Sequence, residues 1–235
     1  MFKKALLFVA FCMCANAHQI VIQNIDTNRY EVKFWAHGEY EKYESEQLIA
    51  ANGYDENLKP IKTGIDYKFD DANAAPVVLT ASKPAVMSGI YDAGYWIETD
   101  EGGSFVKGGL KSVKGAVFAN SRSLKIGKTY FSWNEAMLSP IGLDFEIVAL
   151  ANPFSLKDGD KLPVLVLKNG KPSPKTKFEV GVHEDWEFST NEFGIALIPV
   201  EKGLNVIAAK SARSEYSDPN ANKLLIQTSI TFERK

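Results

Sequence analysis

The sequence predicts an all-β protein made of two β-sandwich-like domains, the C-terminal one immunoglobulin-like. Three observations carry that expectation. Apolar residues alternate with polar ones in many short runs, Gly, Asn and Asp punctuate those runs, and few windows keep a helical period. Gln19 to Ile25 alternates around Ile20 and Ile22, and Tyr30 to Trp35 sets Val32 and Phe34 against Glu31 and Lys33. Each reads as a strand with one buried face. Glu41 to Ala51 is the best helical window, and it is weak. Pro76 to Ala81, Val86 to Tyr91 and Tyr95 to Ile97 continue the strand series. Between them lie a long polar stretch, Asn52 to Asp71, and a Gly-rich segment from Gly102 to Gly109. Such stretches read as loops of a second β-rich unit.

A domain boundary is expected near Ser139-Pro140-Ile141-Gly142, dividing an N-terminal β-rich domain (18–139) from a C-terminal sandwich (140–235). Beyond it the rhythm is cleaner. Leu143 to Leu150, Leu162 to Leu167, Phe178 to Val182, Trp186 to Ser189, Ile195 to Val200, Leu204 to Ala209 and Leu224 to Phe232 read as strands. Asp158-Gly159-Asp160 and Asn169-Gly170 fall where turns are needed, and Asn-Gly between alternating runs is a strong hairpin signal. About seven short strands is the count of an immunoglobulin-like sandwich.

The first 17 residues read as a cleavable export signal. Lys3 and Lys4 form the positive end, Ala5 to Cys14 an uncharged apolar run, and Ala15-Asn16-Ala17 supplies small residues at −3 and −1. The run is too short to span a bilayer. Phe11 and Met13 before the two cysteines argue against lipid attachment. The expected product is a soluble periplasmic protein beginning at His18. Both cysteines, Cys12 and Cys14, lie in the signal, so disulfides, thiolate metal sites and cysteine nucleophiles are excluded from the exported part. Removal of Lys3 and Lys4 leaves the 29 acidic residues in modest excess over the basic ones. That balance gives no electrostatic reason for a nucleic-acid or anionic-membrane partner.

Histidine is scarce: His18, His37 and His183 are the three in the chain. A histidine at the first position of the exported chain can chelate a metal through its α-amine and Nδ1, and a further ring nitrogen would complete a set that Cu(II) or Ni(II) favours. The competing reading is a frayed, solvated terminus. His37 ends a strand and leads into Gly38-Glu39-Tyr40-Glu41, with Glu44 and Glu46 beyond. Imidazole followed by carboxylates such as Glu39 suits a nitrogen- and oxygen-ligand site, although charged loops also protect edge strands. His183, in Val182-His183-Glu184-Asp185-Trp186, is a further metal candidate or an ordinary polar hairpin loop. No nucleophile elbow, phosphate-binding loop or zinc-protease helix motif is present. Glu98, Asp100 and Glu101 beside Trp96 read as a solvated turn rather than a glycosidase pair. The chain is read as a non-enzyme.

Several segments together resemble a known family. They are His18 after Ala17, Phe34-Trp35-Ala36-His37-Gly38-Glu39 with Tyr43, Gly94-Tyr95-Trp96-Ile97-Glu98-Thr99, and Ser121 through Ser123-Leu124-Lys125-Ile126-Gly127-Lys128. The longest stretch is Pro140-Ile141-Gly142-Leu143-Asp144-Phe145-Glu146-Ile147-Val148, continued by Asn152-Pro153, Gly159 to Val164 and Gly170-Lys171-Pro172. Thr190-Asn191-Glu192-Phe193-Gly194 is similar to a Thr-Asp-x-x-Gly turn with Asn for Asp. In that order they resemble the periplasmic proteins associated with nickel and cobalt uptake, often catalogued only as a domain of unknown function.

The resemblance implies a sandwich fold, no enzymatic activity and a role in acquiring a divalent transition metal, nickel or cobalt, with copper or zinc as possible alternatives. It implies His18 and His37 as ligands and a membrane metal-uptake system as partner. The alternative expectation is a non-catalytic cell-envelope module that binds a protein or glycan without metal. A more distant one is a copper oxidase using the N-terminal histidine.

Overall fold

The computed structural model describes residues 19–36, 38–41, 43–67, 75–180, 188–213 and 216–235. Strands dominate. The first half holds β1 Gln19–Asp26, β2 Arg29–Ala36, β3 Glu39–Glu41, β4 Leu48–Tyr54, β5 Pro60–Ile61, β6 Thr63–Asp66 and β7 Val77–Thr80. Then come β8 Val86–Thr99, β9 Gly102–Phe105 and β10 Val117–Tyr130. The last part holds β11 Phe145–Ala149, β12 Lys161–Lys168, β13 Lys171–Pro172, β14 Phe178–Val180, β15 Ile195–Pro199, β16 Gly203–Arg213 and β17 Leu224–Arg234. The all-β, sandwich-type expectation holds.

These strands form three sheets. The front sheet runs β1-β2-β7-β6 with β3 on β2; the central sheet runs β14-β16-β17-β10-β8-β4-β5 with β9 on β8; the back sheet has β12 between β11 and both β13 and β15. Neighbouring residues in β8 explain the layering. Met87 enters a core with Ile20, Ile22, Val32, Phe34 and Leu48, whereas Val86 enters another with Phe145, Ile147, Val164, Phe178 and Phe232. Adjacent strand residues point to opposite faces, so the central sheet is covered on both. The front sheet packs on one face and the back sheet on the other.

The central sheet crosses the expected boundary at 139–140. β10 pairs in parallel with β17 from Arg122↔Leu224 to Thr129↔Thr231, joining strands from both sides of it in one hydrogen-bonded layer. The expected signal, residues 1–17, lies outside the described residues, as does the expected strand start at Trp186.

Two local expectations need correction. The helical window Glu41 to Ala51 contains the end of β3, one 3-10 turn at Ser45–Gln47 and the start of β4. Leu48 and Ala51 enter the front core, and β4 pairs with β8 from Leu48↔Tyr91 to Tyr54↔Val86, so sheet pairing overrides a weak helical period. The two short strands expected at 86–91 and 95–97 are one long strand, β8, carried past Gly94 by a bulge opposite Ser123/Leu124. By contrast, Asn169 (φ 52°) and Gly170 (φ 72°) form the tight left-handed turn read from Asn-Gly, closing the Lys168↔Lys171 pair.

β1 lies close against the central sheet. It crosses directly over β10, where a Cβ on Gly127 would stand 2.4 Å from Ile20 Cγ1 and 2.7 Å from the Ile20 carbonyl oxygen. The Ile22 amide donates to Thr129 Oγ1 at 3.2 Å across the same junction.

Candidate metal centre

His18, His37 and His183 all lie outside the described residues. Their described neighbours bear on the first two. Gln19, which follows His18, pairs with Trp35 in the β1–β2 ladder, and β2 ends one residue later at Ala36. The β2–β3 hairpin returns at Gly38 (φ 83°) and pairs Ala36 with Glu39 and Trp35 with Tyr40. The residues flanking both histidines therefore gather at one end of the front sheet.

Glu39 is exposed on β3 at that end. Beside it Trp35 and Tyr40 meet edge-on with ring centroids 5.0 Å apart, and Lys33 Nζ lies 4.9 Å from the Tyr40 ring centre. Underneath is an aromatic cluster. Tyr43 and Tyr91 pack at 5.1 Å and Phe34 and Tyr91 at 5.0 Å, while the Tyr43 hydroxyl donates to the Val32 carbonyl at 2.6 Å. Burial raises both phenols; that of Tyr91, with Asp92 adding to the effect, is pushed up to about 12. These hydroxyls stay neutral at physiological pH and serve as packing. Among the described residues no three His, Cys, Asp or Glu side chains come together as a ligand set. Glu98 lies near the end of β8, and Asp100 and Glu101 form the exposed β8–β9 turn.

Three polar constellations escaped sequence reasoning. The first explains the longest resembling segment, Pro140 to Val148. Glu146 is buried between the central and back sheets, where its Oε1 accepts from Lys128 Nζ at 2.6 Å and from the Ile141 amide at 2.9 Å. Its Oε2 accepts from the Gly142 and Leu143 amides at 3.0 and 3.1 Å. One carboxylate thus ties β10 to the loop that opens β11. Burial works against the Lys128 ammonium, but Tyr130 and Glu146 together outweigh it and hold its pKa above the ordinary lysine range. The segment is a structural clamp, not a ligand set.

The second constellation pins the last loop to the central sheet. Arg122 pairs with Asp92 and donates to the Tyr216 hydroxyl at 3.3 Å; the Tyr95 and Tyr216 hydroxyls donate to Asp218 Oδ2 at 3.0 and 3.1 Å. The backbone amide of Asn220, and then these hydroxyls and Arg122, hold Asp218 below the usual carboxylate range. The third is a polar row in the central sheet, with the buried Lys125 and Gln227 side by side and Lys210 next to Gln227. Neither has a sequence signal, because strands covered on both faces show no alternation.

The turn Thr190 to Gly194 also acquires a cause. Asn191 Oδ1 accepts from the Phe193 and Ile195 amides at 2.9 and 3.0 Å, and Gly194 takes φ 75°. The role is to accept two hydrogen bonds, which Asp performs as well as Asn; left-handed backbone is needed at the glycine and not at Asn191.

Comparison with known proteins agrees with the continuity of the fold. A family model described as a domain of unknown function, DUF4198, matches residues 15–213. A Haemophilus influenzae protein named only as uncharacterized is 27% identical over 221 residues, covering 93% of this chain and 91% of that relative. No solved structure matches. With a match that spans most of its length, the chain belongs to the DUF4198 family of domains of unknown function.

Proposed function

We propose that this protein is an exported carrier of a divalent transition metal, nickel or cobalt, that delivers its cargo to a membrane uptake system. His18, through its freed α-amine and ring, and His37 are the central donors; Glu39 and His183 complete the set. The observation that carries this reading is the β1–β2 register. Gln19 pairs with Trp35, and Ala36, Gly38 and Glu39 stand at the same end of the sheet. Imidazole and amine donors without thiolate suit borderline cations. Both donors must be deprotonated to bind, so affinity falls as pH drops below about 6.5.

A second reading has its own support. The β8–β9 hairpin and the adjoining start of β10 leave Phe105 56% and Phe118 67% exposed, which favours a protein- or glycan-binding module of the cell envelope. Metal analysis of protein purified from the periplasm separates the two. The carrier reading predicts about one equivalent of bound metal, lost on His37→Ala. The module reading predicts none.

A further inference from the structure

β9, Gly102–Phe105, is the outer strand of the β8–β9 hairpin, and each of its residues is exposed. Its neighbours fix the direction of its hydrogen bonds. The Val106 amide donates to the Tyr95 carbonyl at 2.8 Å, so Val106 faces β8, and Ser104 and Gly102, at alternate positions before it, face β8 too. Gly103 and Phe105 stand opposite Glu98 and Trp96 in the pairs between those bonds. Their N–H and C=O groups therefore point away from β8, along an open edge.

Sheet edges are ordinarily guarded by proline or by charge. Pro60 on β5, Pro172 on β13, Pro199 on β15, and Glu39 and Glu41 on β3 do so elsewhere in this molecule. β9, with the sequence Gly-Gly-Ser-Phe, carries neither device. Its face is aromatic instead. Phe105 is 56% exposed and meets Trp96 edge-on, with ring centroids 5.2 Å apart. The Trp96 indole lies over Gly103 so closely that a Cβ there has no room. Exposed charges of opposite sign stand at the two ends: Asp100 and Glu101 in the turn, and Lys107 just beyond Phe105.

We propose that β9 pairs with β9 of a second copy of this chain, antiparallel about a two-fold axis through Ser104, joining two central sheets edge to edge. Gly103 of each copy lies opposite Phe105 of the other, and their outward N–H and C=O groups satisfy one another. The same register brings Glu101 of each copy alongside Lys107 of the other, an ion pair at both ends. Each Phe105 ring reaches the indole that covers the other copy's Gly103. Backbone, charge and aromatic face all match themselves, as an isologous contact requires. So short a strand gives a small contact, and hence a reversible dimer at the low end of interface sizes. The inference is independent of the metal reading, and it accounts for the exposure of Phe105 without a foreign partner.

Sedimentation velocity and amide hydrogen exchange on the purified protein, at about 1 to 500 µM, test the proposal. The sedimenting mass rises with concentration toward that of a dimer, and the Gly103 and Phe105 amides gain protection in step with it. Phe105→Lys, at an exposed position, keeps the parent's unfolding midpoint and stays monomeric, since lysine on a bare edge opposes pairing. Glu101→Lys and Lys107→Glu each set like charges side by side at both ends and weaken self-association by about threefold or more, whereas an equimolar mixture of the two variants restores it. A monomer throughout, with those two amides exchanging equally fast at every concentration, overturns the proposal and leaves the edge to a foreign strand. A dimer that survives Phe105→Lys, or a mixture no tighter than its separate variants, overturns it as well.

Discussion

Replacing Glu146 by Gln isolates the clamp between the central and back sheets. The substitution preserves shape but removes the charge facing Lys128 and turns an amide group toward the Gly142 and Leu143 N–H donors. In the parent, four donors converge on this carboxylate, at 2.6, 2.9, 3.0 and 3.1 Å, and both ionised partners are almost fully buried. Leaving one charge of a buried pair uncompensated costs about 3–5 kcal/mol. Urea denaturation followed through Trp133, which packs against the back core, reads that loss. With a slope of about 2–3 kcal/mol per molar, the midpoint falls by about 1–2 M. Lys128→Met combined with Glu146→Leu recovers a large part of the loss, because no buried charge remains and Gly142 can turn its amide to solvent. A Glu146→Gln midpoint within about 0.3 M of the parent would refute the claim that this carboxylate holds the layers together.

The other predictions concern the junction under β1. Gly127→Ala places a methyl 2.7 Å from the Ile20 carbonyl oxygen, a backbone atom, and lowers stability by about 1–3 kcal/mol or more in thermal unfolding. Gly89→Ala meets the flexible Ile20 Cδ1 first, at 3.1 Å, with Leu48 Cδ1 at 3.5 Å and the nearest backbone atom at 3.7 Å, and costs less; equal losses would show that β1 does not rest on β10 as described. Lys125 supplies a pH signature. Its folded pKa of about 7 lies below the usual lysine value of 10.5, so between those values the unfolded chain binds a proton that the native one does not. Stability therefore rises with pH from about 7 to 10, by up to about 1.4 kcal/mol per unit from this group. Lys125→Met lacks that increment, so the gap between the two stability profiles changes with pH over this range, and parallel profiles would contradict it.

The strands and turns could be read from the chain because their causes are local. Val32 and Phe34 alternate with Glu31 and Lys33 since one side of β2 enters the front core, and Asn169-Gly170 closes a hairpin because that pair tolerates left-handed backbone. The shared central sheet could not be read in the same way. The parallel pairing of β10 with β17 joins residues about a hundred positions apart, and no turn signal marks it. Val86 and Met87 serve different cores, so β8 shows none of the alternation that would reveal a face. Lys125, Lys128 and Glu146 carry no local mark of burial, because the partners that bury them come from distant strands. Of the candidate ligands, Glu39 stands exposed at the predicted strand end.

The central claim is that export frees a chelating terminus at His18. Isothermal titration with Ni(II) and Co(II) tests it on two forms, one beginning at His18 and one with a single alanine added in front. The carrier account predicts about one tightly bound ion for the first form and a loss of about tenfold or more for the second, whose α-amine no longer closes a ring with the imidazole. Equal affinities, or no binding by either form, would contradict it.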